Sequence, residues 1–91
     1  MAIRTFTSKN INVTSLALNS KKVVVTNISD ITGDMNHLEI DMEYGDFFQS
    51  FLKWNNGELI QNAFPNLSPI EREFIVSGIT EDEWSLAFLG S

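Results

Sequence analysis

The feature that most constrains this chain is a change of hydrophobic period near Gly45. Before it, Leu38, Ile40, Met42 and Tyr44 alternate with His37, Glu39, Asp41 and Glu43, the two-residue repeat of a strand with one apolar and one acidic face. After it, Phe47, Phe48, Phe51 and Leu52 recur three and four apart, the repeat of a helix stripe, with Asp46 placed to cap it and Asn55-Asn56-Gly57 to stop it. One period cannot be satisfied by the other's backbone, so the chain divides into a strand-rich part, 1–44, and a helical part, 45–91.

The first part extends this reading. Ile3 to Thr7, Ile11 to Leu18 and Lys22 to Ile28 are rich in Ile, Val and Thr and are separated by turn residues, with Asn19-Ser20 suited to a tight hairpin. In the second of these segments the apolar phase moves from Ile11 and Val13 to Leu16 and Leu18, which predicts a bulge or break around Thr14-Ser15. In the second part, Leu59, Ile60 and Ala63 predict a short helix ended by Phe64-Pro65. Ser68-Pro69-Ile70-Glu71 forms a capping box with proline at the first helical position, opening a helix that runs to Gly78. Thr80-Glu81-Asp82-Glu83 repeats the box for a last helix carrying Trp84, Leu86, Ala87 and Phe88, so that 68–90 reads as a helical hairpin closing the core. The expected architecture is α+β: an N-terminal antiparallel sheet of about four strands, then three or four short helices packed on one face, in one domain of 91 residues.

Charge narrows the function classes. Residues 1–29 carry Arg4, Lys9, Lys21 and Lys22 and no acid, whereas 30–91 carry all twelve acids against Lys53 and Arg72, giving +4 and −10. Phosphate recognition needs a basic surface that releases counterions, so direct nucleic-acid binding is disfavoured. The last helix opens on three acids and has no basic residue, which a DNA-reading helix would need. The chain contains no cysteine, so disulfides, thiolate metal sites and cysteine nucleophiles are excluded. Its sole histidine, His37, lies on the acidic strand face. Glu39, Asp41 and Glu43 stand about 6.5–7 Å apart in an extended strand, too far for joint ligation of one ion. Asp30 to Asp41 has the length of a calcium loop but places Met35 where glycine is required. The five glycines are dispersed rather than clustered before a helix, against a phosphate-cradling loop. No cofactor and no catalytic group is expected. Without an apolar run of about 20 residues or a signal-like start, the reading is of a cytoplasmic protein with no membrane span, and Asn12 and Asn27, though in glycosylation patterns, are chance matches.

Nine of the ten aromatic residues lie from Tyr44 onward, mostly as core. Trp54 and Phe64, at element ends, are the candidates for exposed binding anchors. The partner-binding residues expected from sequence are Glu39, Asp41, Glu43, Trp54, Glu81, Asp82 and Glu83.

Gln61-Asn62-Ala63-Phe64-Pro65, then Glu71-Arg72-Glu73-Phe74, Gly78-Ile79-Thr80 and Trp84, resembles a segment found in small uncharacterised phage-encoded proteins, over about a third of the chain. The resemblance carries no activity. In its light Phe64, Phe74 and Trp84 pack helices together and Arg72 pairs with a neighbouring acid. Together with the charge, it implies a non-catalytic phage-type accessory protein whose acidic surface binds a basic host protein such as a nucleic-acid-binding effector, in the manner of small inhibitors of host defence like the anti-CRISPR proteins. The alternative expectation is a virion or assembly protein that self-associates as a homo-oligomer.

Overall fold

A computed structural model of the chain describes residues 4–8, 11–15 and 21–86 in full and the backbone of 87–89. Four strands, β1 (Thr5–Ser8), β2 (Ile11–Ser15), β3 (Val23–Ile28) and β4 (Met35–Ile40), form one antiparallel meander in the order β1-β2-β3-β4. Register puts Phe6 beside Val13, Val13 beside Val25 and Val25 beside Leu38, with Ser15, Val23 and Ile40 forming the next inward row. Strand alternation therefore gathers Ile11, Val13, Val23, Val25 and Ile40 on one buried face. The other face is polar and open: Thr5, Thr14, Asn12 and Thr7 link side chain to side chain across β1 and β2 at 3.0–3.1 Å. Helices follow in sequence, so the chain is an α+β fold.

The expected phase slip at Thr14-Ser15 does not occur within the described residues. Ser15 keeps the inward phase of Ile11 and Val13 and is buried, because its hydroxyl accepts the Arg4 N–H at 3.1 Å while its own N–H donates to the Arg4 carbonyl at 2.9 Å. Leu16, Leu18 and the Asn19-Ser20 hairpin lie outside the described residues, as does Ile3.

The fourth strand is displaced from its expected position. It begins at Met35 and ends at Ile40, where the Met42 N–H turns back to the Ile40 carbonyl at 2.8 Å. Helix α1 (Tyr44–Asn55) starts two residues before Asp46, with Glu43 at the N-cap and no side-chain cap bond. Tyr44 fits both periods, since it continues the strand alternation and also stands three and four residues before Phe47 and Phe48. Packing decides: its ring meets Phe6 edge-on at 5.9 Å and stacks on Phe48 at 6.5 Å, the i,i+4 pair of a helix. Asp46 sits instead in the first turn, where the helix dipole favours it.

Helices α2 (Ile60–Ala63), α3 (Pro69–Ser77) and α4 (Glu81–Leu89) complete the order. Phe64 is fully buried with its ring 5.0 Å from Phe47, so it is a core residue rather than a binding anchor. The core joins the inward sheet residues to Phe47, Phe51, Ala63, Phe64, Leu67, Phe74 and Ile75. Both capping boxes form: Ser68 and Glu71 exchange bonds of 2.9 and 3.1 Å, and Thr80 and Glu83 exchange bonds of 3.2 Å. Arg72 donates to the Leu67 carbonyl at 2.7 Å rather than to an acid. Of the residues expected to close the core from α4, Leu86 is 72% exposed and the side chains of Ala87 and Phe88 lie outside the described residues, while polar bonds dock the first turn of the helix.

Gly78 ends α3 in the left-handed conformation, φ +72°, donating its N–H to the Phe74 carbonyl at 2.8 Å. A Cβ at this position would press into the carbonyl of Ile28, whereas Gly57, φ +106°, has open space around it. Gly57→Ala should therefore cost only the backbone strain of about 1 kcal/mol. Gly78→Ala must also move β3 or α3 and should cost at least about twice as much in urea unfolding.

Candidate partner-binding surface

Five of the seven sequence-expected residues, Glu39, Asp41, Glu43, Glu81 and Asp82, are exposed, while Trp54 and Glu83 are half-buried. Glu39 projects from the open face of the sheet, across from Val24, and is exposed. Asp41 follows the end of β4 and lies 3.9 Å from Lys22, with 84% and 51% of the two side chains exposed. A pair so open to water contributes little to stability. Glu43 is exposed just before α1, and Glu81 and Asp82 are exposed in the first turn of α4, where the dipole favours carboxylates. Among the described residues, Glu39, Glu43, Glu81 and Asp82 have no hydrogen-bond or ion-pair partner for their carboxylates. Trp54 is half-buried, edge-on to Phe51 at 5.6 Å. It borders a hollow with Ile11, Asn27, Ile28 and Val76, apart from the acids at 39–43 and 81–82.

Glu83 is not free for a partner. Its carboxylate accepts both contacts of the Asn36 side-chain amide at 3.1 Å, the Thr32 hydroxyl at 3.0 Å and the Thr80 N–H at 3.2 Å. These bonds tie α4 to the β3–β4 hairpin, across sequence separations of 47 and 51 residues.

Two concave features border the acids. The larger, a groove of about 580 Å³, is lined by Asp41, Glu43 and Asp46 facing Lys21 and Lys53, with Gln49, Ser50 and Asn66. Met42 and Leu67 complete its lining, so charged and polar residues outnumber apolar ones, unlike the mainly apolar walls of small-molecule sites. The smaller, a cleft of about 250 Å³, lies between β4 and α3, with Leu38, Ile70, Phe74 and Ile79 as apolar floor and walls and Thr80, Glu81 and Asp82 at its rim. Apart from the two rim acids, sequence reasoning missed this cleft. The available signals were Ile70, an apolar residue in the first turn of α3, and Ile79, an apolar residue in the turn between α3 and α4; Ile70 is 42% exposed.

His37 is exposed, and among the described residues no group of three His, Asp or Glu side chains comes together to hold a metal ion. No described helix is long and apolar enough to cross a membrane.

Burial pushes the Glu83 carboxyl upward, but hydrogen bonds from Asn36, Ser29, the Thr80 backbone and Thr32 outweigh it and hold the group below the ordinary glutamate range. A depressed carboxylate stabilises the fold above the unfolded-state value, and that contribution is lost as pH falls through the folded-state value. Thermal unfolding followed between about pH 6 and about pH 3 should show the native chain losing stability more steeply than Glu83→Gln, whose midpoint is already lower at the upper end. Equal slopes would show that the Glu83 bonds are not made in solution. Comparison with known proteins gives no match of this chain to a family model, to a curated protein or to a solved structure.

Proposed function

We propose that the chain is a non-catalytic binding protein that docks the basic surface of another protein through the acids ranged along β4, with Glu81 and Asp82 beside the strand, Glu39 within it, and Asp41 and Glu43 beyond its end. The observation that carries this reading is that four of these five carboxylates are exposed and without a partner among the described residues, while the fifth holds only a solvent-exposed pair with Lys22. Exposed carboxylates of this kind add little to folding but supply a field that accelerates encounter with a positive surface. A nucleic-acid-binding effector presents such a surface, and the phage-like segment at 61–84 makes a host effector of this kind the partner class to test first. Occupying its phosphate-binding surface would inhibit it stoichiometrically.

The open sheet favours a second reading, a self-associating assembly protein, because β1 and β4 both lie at its edges. Light scattering separates the two, since a mass that stays monomeric over a wide concentration range removes the assembly role.

Affinity capture from host extract at about 50 mM salt should retain a basic protein that about 500 mM salt releases, since exposed charges are screened over about 4 Å at that strength. The quadruple variant Glu39→Lys, Asp41→Lys, Glu81→Lys, Asp82→Lys should bind it at least about tenfold more weakly. Retention of the captured protein by this variant, or indifference to salt, would remove the acidic docking mode.

A further inference from the structure

The cleft and the strand beside it point to how a partner is held, an inference that rests on the acidic docking reading. Because the sheet order of the described residues ends at β4, one side of this strand carries backbone N–H and C=O groups with no neighbouring strand among them. Natural edge strands are commonly blunted by lysine, proline or a bulge. β4 has neither lysine nor proline, and its register with β3 runs one-to-one over all six residues, from Val23 beside Ile40 to Ile28 beside Met35. The 250 Å³ cleft opens between this edge strand and α3, with Leu38 of β4 in its floor. Its volume falls below the roughly 300–1,000 Å³ of small-molecule sites and suits a side chain. Its rim has two carboxylates and no lysine or arginine.

We propose that β4 receives an extended segment of another protein as a fifth strand, with an apolar side chain of that segment seated in the Leu38–Ile70–Phe74–Ile79 cleft and lysine or arginine beside Glu39, Glu81 and Asp82. Alternation sets the pattern. The residue opposite Leu38 shares its face of the sheet and enters the cleft, so its two chain neighbours emerge on the open face beside His37 and Glu39. Residues two further along return to the cleft side, where the first turn of α4 stands over Asn36 through the bonds from the Asn36 amide to the Glu83 carboxylate at 3.1 Å. Main-chain bonds supply affinity that is independent of sequence, and the cleft and the acids supply the selection. The chain's own β1, where Phe6 follows Arg4 just before the strand, does not offer this apolar side chain in a second copy, because Phe6 is already packed against Tyr44, Phe47, Phe48 and Phe51 at 5.1–6.4 Å.

The test is selection of random dodecapeptides against the intact immobilised chain at low salt, followed by fluorescence titration of the enriched sequences. Enrichment of an apolar residue flanked by lysine or arginine is expected. Binding should weaken at least tenfold when alternate backbone amides of the peptide are N-methylated, and at least fivefold in Ile70→Asn, a substitution at an exposed position that leaves the charge unchanged and whose fold is checked by circular dichroism. Basic peptides that need no apolar residue and tolerate both N-methylation and Ile70→Asn would overturn strand addition while leaving the acidic docking reading intact. Selected peptides without lysine or arginine would overturn both. A dimer seen by light scattering and dissociated by Ile70→Asn would place a second copy on the edge and overturn the proposal.

Discussion

The Asn27 side chain fixes how the two halves of the molecule meet. It occupies an inward position of β3 that the strand pattern would give to an apolar residue, and it is buried. Its amide donates to the carbonyls of Phe74, which also accepts the Gly78 N–H, and of Ile75 at 3.1 and 3.2 Å in the last turn of α3, and its own oxygen accepts the Ile28 N–H at 2.8 Å. A buried amide left unbonded would cost about 1–3 kcal/mol, so the position tolerates asparagine only where α3 lies in one orientation across β3. Around it the Asp30 N–H reaches the Ser77 carbonyl at 3.0 Å, and the buried Ser29 hydroxyl accepts from Ile31 and Thr32 at 3.2 Å. The close passage of Gly78 over the Ile28 carbonyl follows from the same docking.

This polar joint explains the shape of the exposed surface. With α3 held over β3 by its C-terminal end, its N-terminal residue Ile70 stands at the cleft beside β4 instead of deep in the core. The turn after Gly78 then directs α4 to the start of β4, where Glu83 meets Asn36 and Thr32. The Glu83 carboxylate holds the first turn of α4 there, while Leu86 stands exposed. The cleft and its acidic rim are thus products of a hydrogen-bonded connection on the same face of the β3–β4 pair.

How much of this was legible in the sequence depends on whether the determining contacts were local. Ser68 with Glu71, Thr80 with Glu83 and the left-handed Gly78 act within a turn of chain, and all three stand where the sequence placed them. The boundary between β4 and α1 was misplaced because Tyr44 satisfies both periods, and its packing against the distant Phe6 ring and against Phe48 decides between them. Phe64 read as a candidate anchor because it precedes a proline, yet Phe47, seventeen residues earlier in the chain, buries it. Glu83 read as a surface acid because its partners Thr32 and Asn36 are far away in sequence. The cleft joins Leu38, Ile70 and Ile79, and no local pattern relates them.

The acids can now be divided by what the fold requires of them. Glu71 and Glu83 complete capping boxes, the Glu73 carboxylate receives the Ser77 hydroxyl at 3.3 Å, and Asp46 stands in the first turn of a helix. Each has a local role that would retain a carboxylate without any partner molecule. Glu39 has none: it lies on a strand, where glutamate is depleted, with Val24 opposite and no cation within bonding distance among the described residues. Asp34 and Asp41 flank the same strand, and Asp34 uses its carbonyl rather than its carboxylate to accept the Ser29 N–H. An edge strand bordered by carboxylates resists pairing with another acidic edge but not with a basic one, so the charge that keeps this edge from a like neighbour also defines the segment able to join it.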